Sequence, residues 1–277
     1  MTRVMRGFFS APRLLIFASA LSGLAACATK PPASEVYAHA EYASRNDPLE
    51  PLNRATYNFS NALDALTLRP LAKGYRAVVP DVARVRITHA LDNAEEPWNF
   101  VNLLLQGKFT FAGETLGRFV INSTVGVAGL WDHASTLGLP MHEEDLGQTF
   151  ASWGIPEGPY LYLPLLGPSN PRDFVGLVGQ LFGDPVTVTL ERHRLNNARY
   201  SLTGMQILDA RTTALDSFDR LRVESADPYA AIRSAYRQNR AFAISDGALT
   251  SEDDPFAEDA FDAPDAEQPS PPQPPPE

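Results

Sequence analysis

The chain has a single cysteine, Cys27, so no internal disulfide framework braces its fold. Positive charge is missing from its final stretch: residues 246–277 carry ten acidic side chains and neither Lys nor Arg. The apolar run Leu14–Leu21 falls well short of the roughly 20 residues that span a bilayer. There is no phosphate-cradling glycine loop, no dinucleotide fingerprint and no G-x-S-x-G nucleophile elbow. The formal charge of −10 is a property of the ends: ten of the 33 acids lie in that final stretch, and three of the 23 bases precede residue 14. What lies between is nearly balanced, and this sets nucleic-acid binding aside.

The ends themselves are informative. Arg3, Arg6 and Arg13 lead into the apolar run, which closes on Leu24-Ala25-Ala26-Cys27. A basic start, a short apolar stretch and small residues before the cut define a secretory leader. The last four resemble the lipobox of bacterial lipoproteins, in which cleavage precedes a cysteine that then carries diacylglycerol. Small side chains at 25 and 26 let a peptidase bind the backbone extended. Residues 1–26 are therefore expected to be removed, with Cys27 lipidated. Ala28 in place of an aspartate favours outer-membrane sorting by resemblance to the lipoprotein rule. One acyl chain anchors marginally, whereas several anchor firmly. Residues 27–45, with Pro31, Pro32 and Ser34, read as a tether. Residues 246–277, ending in Pro-Ser-Pro-Pro-Gln-Pro-Pro-Pro-Glu, cannot bury enough apolar surface to offset ordering and read as disordered.

Residues 46–245 are expected to form one all-α domain. Leu52, Ala55, Phe59, Leu63 and Leu66 recur at helical spacing up to Pro70. A second stretch starts at Asp81, as N-cap, and runs through Val85, Thr88 and Asp92 to Pro97; Trp98–Leu105 continues after it and stops near Gly107. Glu114–Thr124 sets Leu116, Phe119, Val120 and Ser123 on one side. Asp173–Phe182, Leu202–Val223 and Pro228–Ile244 follow. Only Tyr160–Leu163 and Pro185–Leu190 suggest strands. Phe100–Leu105 and Phe174–Phe182 are apolar nearly all round, which means burial or contact with lipid. Gly176, Gly179 and Gly183 either permit close helix approach or sit on the surface.

No constellation for catalysis emerges. The histidines are His39, His89, His133, His142 and His193. His142-Glu143-Glu144-Asp145 lacks a second ligand one turn on, since position 146 is Leu, so it reads as the acidic start of a helix over Leu146–Trp153 rather than as a metal site. Ser123 lacks the flanks of a nucleophile. Glu95 and Glu96 are adjacent on a helix and point apart, which argues against an acid/base pair. No cofactor is implied.

A resemblance to a known family adds to this. Asn46-Asp47-Pro48-Leu49-Glu50-Pro51-Leu52-Asn53-Arg54 followed by Tyr57-Asn58-Phe59 resembles the opening of the MlaA (VacJ) outer-membrane lipoproteins. Further matches are Arg69-Pro70, Glu95-Glu96-Pro97 with Asn102 and Leu105-Gln106-Gly107, Arg118-Phe119 with Asn122-Ser123-Thr124 and Gly126, Gly158-Pro159-Tyr160 with Leu163-Pro164, Arg172-Asp173, and Ser225-Ala226-Asp227-Pro228-Tyr229. They run in order over the whole domain and stop short of the acidic tail. The resemblance implies a ring of helices in the inner leaflet of the outer membrane, around a central polar channel. It implies a non-enzymatic role: removing mislocalised phospholipid from the outer leaflet and passing it to a soluble periplasmic MlaC-like carrier, alongside a trimeric porin. On this basis the helix bearing Leu52, Asn58 and Phe59 is expected to pack at the ring and limit access to the channel, the alternative being that Phe59 is a plain core residue. Tyr160, Leu161, Tyr162, Leu163 and Pro164 resemble the family's stiff channel-side hairpin, the alternative being a rigid surface loop. The competing readings are a structural or assembly lipoprotein and a lipid hydrolase using Ser123 or His142.

Overall fold

The computed structural model describes residues 47–248; the leader, Cys27 with its tether, and the tail from residue 249 lie outside the described residues. Within them the chain is helical apart from one hairpin. In order it forms α1 (Glu50–Leu66), α2 (Leu68–Val78), α3 (Asp81–Leu105), α4 (Phe109–Thr124), α5 (His133–Thr136), α6 (Leu146–Ser152), β1 (Leu161–Leu163), β2 (Gly167–Ser169), α7 (Pro171–Gly183), α8 (Pro185–Arg192), α9 (Asn196–Thr213), α10 (Leu215–Glu224) and α11 (Pro228–Ile244). The all-α expectation stands, and the helix over Pro228–Ile244 keeps its expected bounds.

Several boundaries moved, each for a local reason. Asp81 is the first residue of α3 rather than its cap, a place taken by Pro80. The two segments meeting at Pro97 are one 25-residue helix, because a single proline removes only one ladder bond and packing against α4 carries the helix through. The segment expected over Leu202–Val223 starts earlier and divides at Ala214. Pro185–Leu190 is helical despite its alternating Val and Thr: the Asp184 carboxylate accepts from the amides of Val186 and Thr187, with Pro185 in the first turn. A capping aspartate followed by proline outweighs β-branched propensity over so short a run. Asp145 likewise caps α6 by accepting from the Gln148 amide.

The hairpin was expected at Tyr160–Leu163 and pairs antiparallel in the register Leu161 to Ser169, Tyr162 to Pro168 and Leu163 to Gly167. It inserts Tyr160 and Tyr162 into an aromatic cluster with Tyr57 of α1 and Tyr229 and Ile232 of α11. The rings meet edge to face, Tyr57 to Tyr162 at 5.3 Å and Tyr160 to Tyr229 at 6.1 Å. Around it the Asn53 amide donates to Asp47 at 2.7 Å and to the Tyr160 carbonyl at 3.0 Å, and its oxygen accepts from the Tyr162 amide at 2.9 Å. Asp47 also accepts from Tyr229 and, at 2.8 Å, from Arg233. Arg54 clasps Asp227 with both terminal nitrogens at 3.1 and 2.6 Å. The start and end of the domain are thus latched together.

Two further polar joints hold the helices. Arg240 donates to Asp145 and Asp173, and Asp173 accepts from Tyr236 and Asn170. There α6 and α7 touch backbone to backbone: a Cβ on Gly176 would lie 2.6 Å from the Gly147 nitrogen, so the expected close approach is real at that glycine. In the third joint the buried Arg118 of α4 donates at 2.8 Å to the equally buried Glu96 of α3. The same guanidinium reaches Ser135, the Leu139 carbonyl and Asp132. Burial pushes Glu96 up, and its bond to Arg118 opposes this. Removing one partner of a buried pair strands the other. Arg118→Met is therefore expected to cost about 3–5 kcal/mol, measured by chemical denaturation, whereas Arg118→Met with Glu96→Leu should recover much of the loss. Equal stability of the single variant and the parent would contradict this account.

Candidate functional site

Polarity in this domain runs the wrong way for a water-soluble bundle. The buried set includes Asn53, Ser60, Asn93, Glu96, Asn99, Asn102, Thr115, Arg118, Asn122, Gln148, Thr149 and Arg172, while the exposed set includes Leu52, Phe59, Leu66, Leu71, Val78, Val82 and Val85. In α1 the expected apolar stripe exists, but Leu52 (61%), Phe59 (56%) and Leu66 (78%) face outward. The buried residues of that helix are Asn53, Tyr57 and Ser60. In α4 the same holds: Leu116 and Val120 are exposed, while Thr115, Arg118 and Asn122 are buried. Phe174, Leu181 and Phe182 of α7 are also exposed. Exposed apolar surface on this scale marks an interaction or lipid-contacting face. None of the helices among the described residues is long and apolar enough to cross a membrane.

The polar side opens into a cleft of about 420 Å³ between α3 and α9, lined by Thr88, Leu91, Asp92, Glu95, Gln206, Asp209, Ala210, Thr213, Ala214 and Ser217. Thr88 donates to Asp209 at 2.8 Å and Gln206 donates to Glu95 at 2.9 Å, tying the two walls. Glu95 is accessible to solvent within the cleft and yet ringed by protein. Burial, then the neighbouring Glu143, pushes Asp92 up to about 6. Burial, then Asp92 and Glu143, pushes Glu95 up to about 7. Glu95 and Glu96 do point apart, the first to the cleft and the second to Arg118.

The sequence-derived candidates fall in two places. Asn58 and Phe59 are exposed on α1, so Phe59 is not a core residue. Tyr160 (2%) and Tyr162 (8%) are buried in the aromatic cluster, so their rings anchor the hairpin. Leu161 and Leu163 are half-buried, and Pro164 is exposed at the tip beside Leu165 and Leu166. Cys27 lies outside the described residues. Ser123 accepts from the Asn93 amide at 2.9 Å, and no histidine among the described residues bonds to it. His142 instead pairs with Glu114 at 2.7 Å and stacks on Phe111. Among the described residues no group of three or more His, Cys, Asp or Glu side chains is placed to hold a metal. The cleft was missed in the sequence. Its signal is a polar stripe at helical spacing, Thr88, Asp92 and Glu95 on α3, facing Gln206, Asp209 and Thr213 on α9.

Helices that turn polar groups inward and apolar groups outward, stitched by buried ion pairs and one short hairpin, define an all-α protein suited to an apolar surround. A model of the MlaA lipoprotein family matches residues 45–243, and the chain belongs to that family. It is 34% identical over 218 residues to the intermembrane phospholipid transport system lipoprotein MlaA of Escherichia coli K12, covering 77% of this chain and 84% of that one. The Haemophilus influenzae protein of the same name is 31% identical over 232 residues, covering 79% and 87%. An uncharacterized protein of Rickettsia felis is 34% identical over 194 residues, covering 70% and 76%. A solved structure from work on the structural basis for maintenance of bacterial outer membrane lipid asymmetry superposes with a TM-score of 0.61. It is 33% identical, and the match covers 72% of this chain and 98% of the other.

The raised carboxylates make a signed prediction. A carboxyl that holds its proton more tightly folded than unfolded stabilises the fold at low pH and loses that contribution as pH rises through its folded value. For Asp92 and Glu95 the loss falls between about pH 4 and pH 7. The Tm of the parent, referred to that of Asp92→Asn with Glu95→Gln, should therefore fall between pH 5 and pH 8. A difference between the two that does not change with pH would refute the raised proton affinity of these groups.

Proposed function

We propose that this protein moves phospholipid between the outer membrane and the periplasm, as a non-enzymatic conduit that maintains lipid asymmetry. The observation that carries the reading is the inverted polarity: an apolar belt on α1, α2, α4 and α7 outside, and a carboxylate-lined cleft inside. Exposing on the order of 30 methylenes of a two-chain lipid to water costs roughly 24 kcal/mol at about 0.8 kcal/mol each. A protein with no energy source lowers that cost only by keeping the tails shielded while the headgroup crosses a polar path. The polar side chains turned inward between the helices suit a headgroup path, and the belt suits the surrounding acyl chains. In this reading the helices form a ring in the inner leaflet, acylated Cys27 holds the protein on the periplasmic side, and Asn58 and Phe59 on α1 limit entry. A trimeric porin is its membrane neighbour, and an MlaC-like soluble carrier with an apolar pocket takes the lipid. Among the described residues Ser123 is bonded by the Asn93 amide rather than by a histidine, which weighs against a hydrolase.

Loss of the protein should raise phospholipid in the outer leaflet, measured by surface labelling or by a lipase acting from outside. Deleting Asn58 and Phe59 should change that quantity while protein abundance stays the same. Normal surface phospholipid in the null strain would favour a purely structural lipoprotein and end the transport reading.

A further inference from the structure

The domain is close to charge balance, yet one corner carries unpaired positive charge. Every other arginine among the described residues has a carboxylate, carbonyl, amide or ring as partner. Arg192 and Arg194, at the turn between α8 and α9, have none, and both are exposed with His193 between them. Arg199 adds a third charge, lying 4.8 Å over the Tyr200 ring with a long 3.8 Å approach to Glu191. The α8 dipole accounts for one cation in its last turn, but not for the others. Arg194 takes a left-handed φ of 59°, a conformation that costs a non-glycine residue energy and turns the corner outward. Leu195 (52%) and Tyr200 (63%) stand exposed among these charges.

We infer that this corner is a docking surface for the protein's own acidic C-terminal segment, residues 252–267. Two kinds of complementarity support the assignment. Residues 249–277 contain nine acids and no base, which matches the unpaired guanidinium groups. Phe256 and Phe261 are interleaved with those acids, matching Leu195 and Tyr200. Length permits it. The segment leaves the domain where Asp246 pairs with Lys108 at 2.5 Å. From there residues 249–267 can reach roughly 60 Å at about 3.3 Å each, against a width of about 40 Å for a domain of this size. Tethering raises the local concentration of the acidic segment to the millimolar range, so individually weak exposed pairs suffice. Arg199 lies seven residues before Gln206 along α9, about 10 Å from the cleft wall, so the docked segment rests beside the cleft mouth.

The test uses the full-length chain in vesicles containing anionic phospholipid, with a photo-crosslinking amino acid at Asn197. Mass spectrometry of the adduct should identify a peptide from residues 249–277 of the same chain. Its yield should fall roughly threefold or more with Arg192→Glu plus Arg194→Glu, and should fall in high salt as exposed charge pairs are screened. Circular dichroism of the charge-reversed protein establishes that it remains folded. Adducts on lipid instead of the C-terminal segment would make the corner a headgroup-binding surface and overturn the inference. A peptide yield indifferent to charge reversal and salt would overturn it as well.

Discussion

Apolar side chains that face outward cannot also build a core, and this constraint governs the domain. Among the described residues the buried apolar side chains are few and scattered, and the cluster around Tyr57 is mostly tyrosine. Cohesion falls to hydrogen-bonded carboxylates, amides and guanidinium groups, arranged as joints between particular helices. Such joints are directional and exact a large desolvation cost if left incomplete. Each is accordingly dense: Arg118 meets four partners, and Asp173 is shared by Arg240, Tyr236 and Asn170. Polar joints also keep their strength beside lipid, where burial of apolar surface between helices contributes little.

The family signature takes on physical meaning in this light. Asp47, Asn53 and Arg54 come from one end of the domain, Tyr160 from the middle and Asp227 and Tyr229 from the other end. They converge on one latch. Arg118 and Asn122 form the α4 joint, and Arg172 and Asp173 belong to the α7 joint. The motif residues so placed act on shape. The cleft between α3 and α9 is built largely from residues outside those motifs, with Glu95 the exception.

Much of the fold was legible because helical periodicity and caps are local. Pro228 marks a helix start that the structure keeps, whereas the helix expected from Asp173 begins two residues earlier at Pro171, capped by Asn170. What periodicity could not reveal was direction. A stripe such as Leu52, Phe59 and Leu66 looks the same whether it meets a core or a bilayer, because the spacing belongs to the helix and the facing surface does not. Val186 to Thr189 misled for the opposite reason: strand-like alternation was tested against no cap, and Asp184 decided the outcome. The cleft stayed hidden because its two walls are more than 100 residues apart in sequence, and only tertiary packing brings them together. Tyr160 and Tyr162 were assigned to the right hairpin, but alternation along a strand sends both rings the same way, into the cluster.

The latch has a geometric corollary. Asp47 is bound beside the first turn of α11, whereas Asp246 is bound just past its last turn. A helix of 17 residues is about 25 Å long. The segments that precede Asp47 and follow Asp246 therefore have their roots at points held apart by a rigid rod, and α11 sets a constant offset between those two roots.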